Sequence, residues 1–124
     1  MILIGDENIE YETIEKISVI SDISATTSNA TLLYHFDFDI LKYSQKNNLH
    51  SAVITKNLQE VVYASSFDVK YIIVKKNIAK EAQNIANNYM LDSKILVVID
   101  SKEELVENAI DEIDGVIYKK LLEQ

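Results

Sequence analysis

Lys94-Ile95-Leu96-Val97-Val98-Ile99-Asp100-Ser101-Lys102-Glu103-Glu104-Leu105, continued by Ile113-Asp114-Gly115-Val116-Ile117-Tyr118, is the stretch that decides the fold. Residues 95–99 are apolar at every position and rich in β-branched side chains, which predicts a strand with both faces covered. Ser101 followed three residues later by Glu104 is the spacing of a capping box, so a helix starts there. The second apolar run, 115–118, predicts another strand. A strand, a helix and a strand joined by short connections fit a right-handed crossover between parallel strands.

The same unit occurs upstream. Residues 53–76 align without gaps on residues 97–120, matching Val53 with Val97, Glu60 with Glu104, Val62 with Val106 and Ile73 with Ile117. Lys75-Lys76 likewise matches Lys119-Lys120. Duplication would produce this, and so would convergence, because any two strand–helix–strand segments share a pattern of apolar face and cap. Further strands are predicted at 31–36, 51–55 and 71–75, for a mostly parallel sheet of five or six strands. The clearest helix covers 78–90, with Ile78, Ala82, Ile85, Ala86 and Tyr89 on one face. Asn57 with Glu60 marks another helix start, Asn77 can cap the helix after it, and Asp37 or Asp39 the one before. Asn47 and Asn48 offer the left-handed conformation that ends a helix. Residues 1–5 suit a strand, and 21–30 a loop. Residues 8–20 fit either a helix or the second strand of a hairpin, with strand then short helix preferred for this region.

Composition bounds the chemistry. At 124 residues, 48% hydrophobic and 26% charged, the chain is expected to form one globular α/β domain over residues 1–124. With no cysteine, disulfides, thiolate metal sites and cysteine nucleophiles are excluded. All twelve basic residues are lysines, so no guanidinium can grip a phosphate or carboxylate with two parallel bonds. A net charge of −8 opposes nucleic acid and anionic membranes as partners. No apolar run reaches the roughly 20 residues of a membrane span. Met1-Ile2-Leu3-Ile4-Gly5-Asp6 has no basic residue ahead of its apolar stretch, contrary to a secretory signal, so the cytoplasm is the expected compartment. Neither a Gly-x-Gly-x-x-Gly sequence nor a P-loop is present, and no cofactor is expected.

The segment 94–118, and equally Ser51-Ala52-Val53-Ile54-Thr55 through Lys70-Tyr71-Ile72-Ile73-Val74, resembles strand–helix–strand passages of (βα)8-barrel enzymes of the aldolase and phosphoribosyltransferase type. The likeness extends over residues 31 to 120, roughly half a barrel, since a full one takes about 250 residues. It implies a half-(βα)8-barrel-like sheet built from repeated βα units. It implies little about activity, because the glycine-rich phosphate loops of such barrels have no counterpart here: the chain holds only Gly5 and Gly115. A flavodoxin-like, doubly wound sheet is the alternative. Its phosphate-accepting variant needs an aspartate after the third strand, where this chain has Thr55-Lys56.

In parallel sheets, sites form beyond the C-terminal ends of the strands. There the sequence places His35 and Asp37, Lys56, Lys75, Asp100 and Lys119, a candidate ligand-binding rim. Lys75 or Lys119 could act as a Schiff-base amine if desolvated. The simpler reading is that strands end in polar residues because the chain leaves the core there. Solvation then accounts for the lysines, and helix capping for Asp37. His50 lacks partners at metal spacing, and no metal site is expected. Two functional readings follow. The preferred one is a non-enzymatic oligomerising or interaction module: helices on one side of a half-barrel leave apolar side chains of the other side to be covered by a second copy. The alternative is a remnant of a barrel enzyme that binds a small anionic ligand at the lysine rim.

Overall fold

Residues 94–118 fold as strand, helix and strand, and the same unit recurs along the chain; the computed structural model describes residues 1–123. The strands are β1 (Ile2–Ile4), β2 (Ile14–Lys16), β3 (Thr31–His35), β4 (Ser51–Ile54), β5 (Tyr71–Val74), β6 (Lys94–Ile99) and β7 (Gly115–Tyr118). The helices are α1 (Phe38–Lys46), α2 (Leu58–Ser66), α3 (Lys76–Asn88) and α4 (Leu105–Ile110). All seven strands are parallel, in the order β1-β7-β6-β5-β4-β3-β2, and form a curled half-barrel. From β2 to β7 the order never reverses, so the doubly wound alternative is excluded.

Local chemistry sets the helix ends. Asp37 caps α1 by accepting from the Ile40 N–H at 3.1 Å. Asn57 caps α2 through the Glu60 N–H at 2.9 Å, and Glu60 reaches back to the Lys56 N–H at 2.9 Å. Asn77 does not cap α3: the N-cap is Lys75, with no side-chain cap bond, and Asn77 lies inside the first turn. Ahead of α4, Glu104 accepts from the N–H groups of Asp100 at 2.7 Å and Ser101 at 3.1 Å. Ser101 and Glu104 thus stand as the expected capping box, with the glutamate carboxylate rather than the serine hydroxyl making its hydrogen bonds. Asn48 takes the left-handed conformation after α1, with φ +55°.

Two layers of core result. On the convex side, Leu32, Tyr34, Val53, Ile72, Ile95 and Val97 pack under Ile40, Leu41, Val61, Ala64, Ala82 and Ala86 of the helices. The face of α3 differs from the expected one by part of a turn. Ala79, Ala82, Gln83 and Ala86 are buried, while Tyr89 is the C-cap residue and is 75% exposed. On the concave side, Leu33, Ala52, Ile73, Leu96 and Ile117 form a second core with Ile4 and Leu121.

That second core corrects one expectation. Ile73, Leu96 and Ile117 are fully buried within a single chain. Leu121 and Leu122, beyond β7, pack against this core together with Ile14 of β2. Lys16 of β2 donates to the Leu122 carbonyl and ties the segment down. Each such aliphatic side chain, removed from water, contributes about 1.5–3 kcal/mol. The premise that a second copy must cover the concave face therefore falls.

The N-terminal region also differs from the reading of its sequence. Residues 8–20 form neither a helix nor a hairpin; they hold β2, which is parallel to β3 and stands at the opposite edge of the sheet from β1. Residues 21–30, expected as a loop, begin in a 3-10 turn over Ile20–Ala25.

Candidate functional site

The rim residues lie where the parallel topology requires. His35 ends β3, and Lys56, Lys75, Asp100 and Lys119 follow β4, β5, β6 and β7 in turn, so they line successive positions of one edge. His35 stands opposite Ile54 in register, and Ile54 faces the concave core. Lys56 and Lys75 come two residues after Ile54 and Ile73, in the same phase of the pleat. All of these residues and Asp37 are exposed.

Their surroundings are those of solvated chain ends. Asp37 is committed to capping α1. Lys119 pairs with Glu123 at 3.8 Å, and both are more than half exposed. Among the described residues, Lys56 and Lys75 form no ion pair. Lys75 and Lys119 both stand exposed, whereas amine nucleophiles are lysines held in a desolvated pocket. The first-turn N–H groups nearby are held by Asp37, Asn57 and Glu60, which leaves them unfavourable to an incoming anion.

A cleft of about 240 Å3 does open at this end, between Gly5–Asn8 and Asp100, Lys102, Tyr118 and Lys120. Of the rim residues it includes Asp100 alone. Here the Tyr118 hydroxyl donates to Asp6 Oδ2 at 2.8 Å, and the Asn8 N–H donates to Asp6 Oδ1 at 2.8 Å. These two bonds hold the Asp6 carboxyl below the usual aspartate range. Desolvation, and then Asp6, push the Tyr118 phenol up to about 12. Near neutrality the pair therefore stands as an ionised acceptor and a protonated donor.

At the opposite end, the sequence reading missed a second polar cluster. Glu12 accepts from Thr31 Oγ1 at 2.7 Å, from Lys70 Nζ at 2.6 Å and from the Tyr71 hydroxyl. Burial opposes ionisation of Glu12, but these partners outweigh it and hold the carboxyl below its ordinary value. Burial first, and then Glu12, push the Tyr71 phenol far upward. The cluster ties the β1–β2 connection to β3 and β5 with both carboxylate oxygens satisfied. The sequence did carry one signal for it, since a tyrosine on the inner face of a strand needs a partner for its hydroxyl.

The most unusual surface is on the helices. Phe38 stacks edge-on against Phe36 and Tyr63, each with ring centroids 5.0 Å apart, and lies 6.5 Å from Phe67. On the other flank of α2, Val62, Ser65, Ser66, Ile85, Tyr89 and Leu91 line a groove of about 560 Å3 between α2 and α3. Val62 is 50%, Tyr63 46% and Phe38 42% exposed. The outward positions of α2 are Gln59, Val62, Tyr63 and Ser66, none of them charged.

Among the described residues, no group of three or more His, Asp or Glu side chains is placed to hold a metal ion. Nor is any helix there long and apolar enough to cross a membrane. No protein-family model matches the chain, and no curated protein matches it in sequence.

Proposed function

We propose that this chain is a non-enzymatic module that associates with a second copy of itself through the outer face of α2. The observation that carries the reading is the pairing of an aromatic ridge, Phe38 and Tyr63, with the α2–α3 groove on the other flank of the same helix. A two-fold axis across α2 would seat each ridge in the partner's groove, the self-complementary arrangement of an isologous dimer. Two copies at −8 each repel, so their contact falls where the surface carries least charge, and the exposed positions of α2 carry none.

Size sets the strength. An aromatic side chain offers about 150–250 Å2, so Phe38, Tyr63, Tyr89 and Val62 at their exposures present on the order of 400 Å2 of apolar surface. A standard interface uses about 800 Å2 per partner, so this patch would form the centre of a modest, micromolar interface. Sedimentation over a dilution series tests the reading. The wild-type chain is expected to dimerise at tens of micromolar, and Val62→Glu to remain monomeric at the same concentration. A wild-type chain that stays monomeric, or a Val62→Glu chain that dimerises equally, would reject it.

The lysine rim supports a lesser alternative, a small anionic ligand bound by Lys56 and Lys75. Its support is that these exposed amines follow neighbouring strands of the sheet. A rise in melting temperature with inorganic pyrophosphate, lost in Lys56→Ala, would favour it over simple solvation.

A further inference from the structure

The layer of helices on the convex side stops one strand short of the sheet. α1, α2, α3 and α4 follow β3, β4, β5 and β6, and α4 packs on β7. β1 stands beyond β7 at the edge of the sheet, and among the described residues no α-helix follows either strand. Leu3 of β1 and Leu105 of α4 both pack at the margin of the convex core and are only partly buried. Parallel sheets carry helices over their strands because both faces are apolar. A place for one more helix is therefore left between α4 and the outer face of β1.

α4 presents apolar side chains to that place. Lys76 and Lys80 of α3 pair with Glu107 at 2.6 Å and Asp111 at 3.4 Å, which marks the flank of α4 that meets α3. Val106, Ala109 and Ile110, three and four residues apart, share the face outside those pairs. Val106 is 68% and Ile110 74% exposed, the most exposed valine and isoleucine among the described residues. A helix at the end of its layer ordinarily turns polar residues to solvent at such positions.

Charge selects the occupant. Residues 100–114 hold seven acidic side chains and one lysine, a net −6 of the chain's −8. Glu103 and Glu112 are exposed and form no ion pair among the described residues. A second copy would bring the same acids to the same face, which disfavours it here. We infer that the place between α4 and β1 takes a basic amphipathic helix of a partner protein, which extends the helix layer over β1. Its apolar face lies on Leu3, Leu105, Val106, Ala109 and Ile110, and its cationic side chains turn to Glu103 and Glu112. α3 stands between this surface and α2, so the inference does not depend on self-association.

The probe is a synthetic peptide of about 14 residues, with leucines on one helical face and lysines elsewhere. Titrated into the full chain, it is expected to move the amide signals of Leu3, Val106, Ala109 and Ile110 saturably. Its dissociation constant should be on the order of 100 μM, as suits a contact smaller than a standard interface. The same composition scrambled, so that the leucines no longer share a face, should bind at least about tenfold more weakly. Val106→Ser combined with Ile110→Ser should weaken the first peptide by a similar factor. The melting temperature of that variant should stay close to the wild type, because both side chains stand in solvent. Added salt should weaken binding, and Glu103→Gln combined with Glu112→Gln should reduce that salt dependence. The inference is overturned if no saturable shifts appear, or if they fall on the α2–α3 groove or the lysine rim instead. It is also overturned if the scrambled peptide binds as well, if the double serine variant binds undiminished, or if the double glutamine variant keeps the full salt dependence.

Discussion

Lys16, on the edge strand β2, donates its amine hydrogen to the carbonyl oxygen of Leu122, beyond β7 near the other edge of the sheet. The two residues are 106 positions apart, and their bond draws the two sides of the curled sheet together over the concave core. Leu121 lies inside that closure, 9% exposed. Leu121→Ala is expected to destabilise the chain by about 2 kcal/mol, at the low end for a buried leucine because the site lies at the margin of the core. Urea unfolding reads this from the midpoint. A loss under about 0.5 kcal/mol would mean that Leu121 does not cover the core.

Glu12 fastens the connection between β1 and β2, and its folded-state pKa is depressed below the ordinary value of 4.5. A carboxyl depressed on folding contributes stability above its unfolded pKa, and loses it as the pH falls through the folded one. The melting temperature should therefore drop as the pH is lowered from about 4.5. Glu12→Gln, which removes the charge paired with Lys70, should melt lower at neutral pH and show a shallower decline in acid. Equal slopes for the two proteins would assign the acid sensitivity to other carboxylates.

Gly115 allows β1 to pack beside β7. A Cβ there would stand 2.6 Å from both Cβ and the carbonyl oxygen of Ile2, and 2.8 Å from Leu96 Cδ2. The oxygen belongs to the β1 backbone and cannot yield without displacing the strand. Gly115→Ala should cost about 2–3 kcal/mol, with faster hydrogen exchange over residues 2–4. Unchanged exchange there would show that β1 absorbs the methyl group in place.

Ahead of α4, the glutamate carries the cap. Glu104→Ala, which frees two N–H groups, should cost about 1 kcal/mol. Ser101→Ala should cost less, because Ser101 makes no side-chain cap hydrogen bond. Thermal unfolding of both variants checks the ranking, and the reverse order would restore Ser101 as the cap.

The strands β3 to β7 were legible because each is an uninterrupted apolar or β-branched run, as in Ile95–Ile99, and burial on both faces leaves that mark. β2 left no such mark. Ile14-Glu15-Lys16 holds one apolar residue, and its pairing with β3 is a long-range choice that no local pattern encodes. The concave face was misjudged for a related reason, since two leucines after β7 and one lysine hydrogen bond close it. The rim residues fell where strand parity put them, but parity fixes position and not function. The ridge of Phe38 and Tyr63 joins two successive helices across the strand between them, and Tyr89 leaves its expected face because α3 ends one residue before it.

Self-association through α2 is tested most directly by a distance between copies. The chain has no cysteine, so Ser66→Cys places a single nitroxide label beside the groove, and Lys119→Cys places one after β7. Pulsed electron paramagnetic resonance at tens of micromolar should show a short, well-defined distance between copies for the label at position 66. The label at position 119 should give a longer distance, because β7 is far along the sheet from the strands under α2. Both signals should vanish when Val62→Glu is added. No dipolar signal at either position, or a shorter distance at 119 than at 66, would contradict the account.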